Sequence, residues 1–106
     1  MTGSKYINTN GEFTTKLSRT SCALMLPLML LSNRYNEIDK NTFMKGVNWI
    51  TDYRTWDKYW MELVEKNFLV QLDKNKWMVS PHECYADGIS HNALITKWNE
   101  ACNATN

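Results

Sequence analysis

Charge of either sign is nearly absent as a surplus: 12 Lys and Arg stand against 11 Asp and Glu, a formal net charge of +1. The strongly basic balance that announces a nucleic-acid binder is therefore missing. Cysteine is scarce, three in 106 residues. Cys22, Cys84 and Cys102 form an odd, scattered set that does not suit the disulfide framework of a small secreted domain, and they read as reduced thiols. Long apolar runs are lacking as well. The longest, Cys22 to Leu31, is broken by Pro27 and falls far short of the ~20 residues a membrane span needs. No basic segment leads into it and no small-residue cleavage site follows, so no membrane partner is expected. Repeats, linkers and low-complexity tracts are also missing, which leaves one domain over residues 1–106.

Apolar material is plentiful, 43% of the chain with five Trp, enough to bury a core without staples. Residues 1–12 are polar and read as a loose arm, with a short strand around Lys5 to Ile7. Ser18, Thr20 and Ser21 offer caps for a first helix over 18–34, whose interior Ala23 to Leu31 is apolar on nearly every face and so predicts a central, kinked helix. Ile38 marks a single short strand. Asp39 can cap a second helix near 40–50, with Phe43, Val47 and Ile50 on one face. Thr51 and Asp52 interrupt it. A third helix, about 53–66, has Trp56, Tyr59, Trp60, Leu63 and Val64 on its apolar side and Asn67 where a left-handed residue ends helices.

Phe68 to Leu72 and Trp77 to Ser80 are β-prone runs around Asp73-Lys74-Asn75-Lys76, a hairpin with a polar tip that Pro81 stops. A loop with Asp87 and Gly88 leads to a last helix, 88–102 with Ser90 as cap, striped by Leu94, Trp98 and Ala101 or Cys102. The expected class is mainly α with a small antiparallel β-hairpin.

Within this order, Thr55-Trp56-Asp57-Lys58-Tyr59-Trp60-Met61-Glu62-Leu63-Val64-Glu65-Lys66-Asn67-Phe68-Leu69 resembles the recognition helix and wing entry of winged helix-turn-helix DNA-binding domains. Trp77-Met78-Val79-Ser80-Pro81 and Gly88 extend the likeness, over about residues 13–100, to the small replication initiators of Gram-positive plasmids and related phage proteins. The resemblance implies a winged helix-turn-helix at 40–80 with an extra C-terminal helix. It also implies double-stranded DNA as partner, a role in replication initiation or transcriptional regulation, and the cytoplasm of a bacterium or infected host cell as location.

A helix entering the major groove shows its first solvent-facing residues to the bases. Here those are Tyr53, Arg54, Thr55, Asp57 and Lys58. Arg54 suits guanine, Thr55 a base or phosphate, and Lys58 a phosphate. Lys74 and Lys76 at the wing tip, and Lys40 and Lys45 on the second helix, would reach the backbone. Opposing them, Asp52 and Asp57 lie on the same face. An alternative is a phage or mobile-element protein that uses this scaffold to bind and inhibit or redirect a host protein, its aromatics serving as anchors. A plain dimerising module is a third.

Leu94, Ile95 and Trp98 would form the dimer surface, or else pack on the first helix. Trp56, Tyr59 and Trp60 read as core, as do Met25, Met29 and Met61. His82, Cys84, His91 and Cys102 lack the paired spacing of a zinc site, no motif surrounds a Cys–His nucleophile, and no Gly-rich phosphate loop occurs. Neither a metal or other cofactor nor catalysis is expected.

Overall fold

In the computed structural model, residues 7–9, 11, 13–47, 50 and 52–104 are described. The order is β1 (Ile7–Thr9), α1 (Phe13–Lys16), α2 (Arg19–Leu31), β2 (Glu37–Asp39), α3 (Lys40–Gly46), α4 (Tyr53–Glu65), β3 (Leu69–Gln71), β4 (Lys76–Val79), β5 (Cys84–Ala86) and α5 (His91–Ala104). Two antiparallel sheets form among them, β1-β5 and β2-β4-β3. The fold is mainly helical with a small three-stranded antiparallel sheet. The hairpin is real, and β2 joins it by pairing Glu37–Asp39 with Met78–Lys76.

Local chemistry accounts for the element ends. Asp39 caps α3 by accepting from the Thr42 N–H at 2.9 Å, and Asp52 caps α4 by accepting from the Arg54 N–H at 3.3 Å. Ser18 caps α2, which starts one residue later and ends three earlier than the expected 18–34; a separate turn, α1, precedes it. Asn67 closes α4 at φ 65°, the left-handed conformation that asparagine tolerates and glycine prefers. Asn36 has the same backbone, φ 63°, but a different duty. It is buried, and its amide donates to the carbonyls of Val79 (3.1 Å) and Cys84 (2.8 Å). Asn67→Gly should therefore leave stability unchanged or raise it slightly, whereas Asn36→Gly should cost about 1–3 kcal/mol through two orphaned buried carbonyls. Urea denaturation of the two variants checks the contrast, and equal effects would contradict it.

Alternation along the strands divides the core in two. Leu69 and Val79 face Leu24, Leu28, Phe43, Trp60 and Leu63 from α2, α3 and α4. Val70 and Met78 face the other way, onto Leu94 and Trp98 of α5. The sheet is thus covered on both sides. This corrects two expectations about the last helix. It packs on the back of the sheet rather than on the first helix, and Leu94 and Trp98, 3% and 5% exposed, are spent in the chain's own core and cannot serve a dimer contact; Ile95 is half-buried beside them. An ion pair between Lys97 and Glu37 ties α5 to β2.

Further expectations change. β1 pairs with β5, Ile7 opposite Ala86, so residues 7–9 are not a loose arm, and the loop after Pro81 contains a strand. The first helix is not central: Leu26, Leu30 and Leu31 are 58%, 56% and 59% exposed. Met61, expected in the core, is 49% exposed. Among the described residues no helix is long and apolar enough to cross a membrane.

Two carboxylates link elements in a titratable way. Glu37 is held below its ordinary value near 4.5 chiefly by the hydrogen bond from Lys97. Glu62 is lowered chiefly by the Ser18 backbone N–H, which it accepts at 2.7 Å; it also accepts from the Ser18 and Ser21 hydroxyls at 2.8 and 2.9 Å, fastening α4 to the start of α2. A lowered folded-state pKa contributes stability above the unfolded value and loses it as pH falls through the folded one. Thermal unfolding should therefore be insensitive to pH above about 5 and drop below about 4.5. A Glu37→Gln, Glu62→Gln double variant should lose much of that acid dependence. The same slope in both proteins would refute the assignment.

Candidate nucleic-acid interface

α4 is built as an amphipathic rod. Trp56, Trp60 and Leu63 are 3%, 1% and 0% exposed, and the Trp56 indole N–H donates to the Ile50 carbonyl at 3.1 Å, which fixes how the chain enters the helix. Its outer side carries Arg54, Asp57, Lys58 and Met61 at spacings of three and four, so they share one face. Tyr53, at the first position, is 66% exposed.

Lys40 joins this face to the hairpin. Its backbone N–H donates to the Asn75 carbonyl at 2.8 Å. Its ammonium lies 3.6 Å from Asp57 and 5.3 Å from the centroid of the Trp60 ring. A single lysine thus touches the hairpin turn through its backbone and the exposed side of α4 through its side chain. Lys40 itself is only 20% exposed, and so it braces the face rather than presenting a free cation to a phosphate. Lys45 is exposed in the last turn of α3, and Lys74 and Lys76 are exposed at and beside the hairpin tip.

Four acids around this face have partners inside the protein. Asp39 and Asp52 cap helices, and Asp52 also accepts from the Thr55 hydroxyl at 2.9 Å. Asp57 meets Lys40. Asp73 accepts from the Lys74 N–H at 2.7 Å. By contrast, none of Lys45, Arg54, Lys58, Lys74 and Lys76 has an acid within ion-pair distance among the described residues; Lys58 instead lies 5.5 Å over the Tyr59 ring. Thr55 is half-buried and its hydroxyl proton is committed to Asp52, which leaves it an acceptor at best. These four acids thus serve the protein's own backbone and side chains, while the cations point their charge outward.

The His and Cys residues have other occupations. His91 sits 2.8 Å from the Pro81 carbonyl and stacks on Tyr85 with centroids 4.2 Å apart. Cys84 is buried, and burial raises the Cys102 thiol above its ordinary value. Among the described residues no three of His, Cys, Asp and Glu gather closely enough to hold a metal ion.

No protein-family model matches the chain, and neither a curated protein nor a solved structure does.

Proposed function

We propose that the chain is a winged helix-turn-helix domain that binds double-stranded DNA, with α4 as recognition helix and the β3–β4 hairpin as wing, in a plasmid or phage replication or transcription role. The element order from α2 to β4, with β2 pairing at the edge of the hairpin, supports the fold reading. One observation carries the functional one: Asp39, Asp52, Asp57 and Asp73 are engaged locally, while among the described residues Arg54, Lys58, Lys74 and Lys76 are exposed without acid partners. Arg54 and Lys58, one turn apart at the start of α4, suit a base edge and a phosphate. The two hairpin lysines suit the adjoining backbone. A domain with a net charge of +1 can then bind a polyanion because its charge is sorted, not because it is large.

Fluorescence anisotropy with mixed-sequence duplex DNA tests this. Binding at about 50 mM salt should weaken steeply as salt rises, since each neutralised phosphate releases counterions. No binding at low salt would refute the proposal.

A second reading rests on Tyr53 and Met61, 66% and 49% exposed on the same helix. Such side chains anchor protein interfaces, and a host protein is the partner they would suit. A complex that survives high salt and nuclease favours that reading over DNA.

A further inference from the structure

Among the described residues, nothing covers the outward face of α2. Between Arg19 and Arg34 the chain holds no charged residue. On this helix Ala23, Leu26, Leu30 and Leu31 are exposed, the three leucines each by more than half, and Tyr35 in the following turn is 55% exposed. Together they leave on the order of 400–500 Å2 of apolar surface in water, a size at which an exposed patch marks a binding site rather than scattered residues. At the C-terminal end of α2 a groove of about 340 Å3 opens beside Leu31, lined by Ile38 and Phe43 but also by Glu37 and Asp39.

We propose that this stripe docks a second copy of the chain, the two α2 helices packing antiparallel about a two-fold axis near Leu26 and Pro27. Spacing, size and charge select that occupant. Ala23, Leu26 and Leu30 follow the three-four spacing of a helix-pairing seam. A two-fold axis at the middle of that seam sets Ala23 of one copy against Leu30 of its partner, small against large at both ends, which is the self-complementarity an isologous contact requires. An uncharged stripe meets its own copy without repulsion and offers an acidic or basic partner nothing to pair with. A lipid surface is a poorer fit, because interfacial helices carry Lys and Arg along a polar face, whereas α2 has no charged residue after Arg19 and Ser18 and Ser21 at its start are bound to Glu62. Counted on both copies, the contact is on the order of 1,000 Å2, the size of a weak, reversible interface. The inference does not depend on DNA binding, since α4 takes no part in the contact.

Sedimentation velocity over about 1–200 µM, a range chosen for an interface of this size, is the test. The wild-type chain should shift from monomer to dimer across that range. Leu26→Gln with Leu30→Gln should raise the dimer Kd at least about 30-fold, with an unchanged circular dichroism spectrum because both positions are exposed. Ala23→Trp, too large to sit opposite the partner's Leu30, should weaken the dimer as well. A wild-type chain that stays monomeric at the highest concentration, including one that instead floats with anionic vesicles, would overturn the proposal. A dimer indifferent to these substitutions would overturn it too.

Discussion

Trp60→Ala is expected to destabilise the domain by about 3–5 kcal/mol, a large part of the ~5–15 kcal/mol that holds a domain together. Trp60 is 1% exposed and stands where three elements meet. Its ring centroid is 6.0 Å from that of Phe43 on α3 and 5.4 Å from that of Trp77 on β4, the latter perpendicular. Removing it opens a cavity between helix and sheet that neither neighbour can close without leaving its own rotamer. It also withdraws the ring beneath the Lys40 ammonium. Among the described residues the indole N–H of Trp60 meets no hydrogen-bond acceptor, so Trp60→Phe should cost only about 1–2 kcal/mol. Tyr53→Ala, at an exposed position of the same helix, should stay within about 0.5 kcal/mol. Urea denaturation of the three variants reads the order directly. A Trp60→Ala protein as stable as Tyr53→Ala would mean that the helix–sheet junction is not the core.

The other large effect concerns binding. Arg54→Ala with Lys58→Ala should weaken duplex affinity by about 100-fold or more, since a guanidinium–base pair and a phosphate contact are each worth roughly 1–3 kcal/mol. The salt slope should shrink as well, because fewer phosphates are neutralised. Both side chains are exposed and unpaired with acids, so folding should survive and the loss should be one of contact. Lys40→Ala behaves differently in this account. It should reduce stability by removing the cation beside Asp57 and Trp60, while the backbone N–H bonded to Asn75 survives, with a smaller and less salt-dependent effect on binding. Equal losses from Lys40→Ala and from the pair would place the binding surface elsewhere.

Much of the scaffold was legible because its signals are local. The Asp39 and Asp52 positions, the spacing of Trp56, Trp60 and Leu63, and Asn67 at the helix end each declare a boundary or a face within a few residues. The turn at Asp73 to Lys76 did the same for the hairpin. What escaped is non-local. Ala23 to Leu31 has no polar position to break its apolar run, so no period could reveal that Leu26 and Leu30 face outward. The Phe68-Leu69-Val70 run did hint at a strand covered on both faces, a signal that could have placed α5 on the sheet instead of in a dimer contact. Met61 shares the α4 face of Arg54 and Lys58, and a helical wheel would have put it outside.

At the candidate site the residue types were legible but their pairings were not. Asp57 reads as an obstacle to DNA until Lys40, from another helix, is seen beside it. Whether an acid repels a phosphate depends on what already neutralises it, and that is settled by tertiary structure.

The central claim, that the opening of α4 and the hairpin tip form one DNA-facing surface, is tested most directly by following backbone amide resonances as duplex DNA is added. Perturbation concentrated at residues 53–58 and 73–76, with 91–104 at the back of the sheet unmoved, is the predicted outcome. A spectrum unchanged by excess duplex, or one perturbed on α5 while α4 stays still, would contradict it.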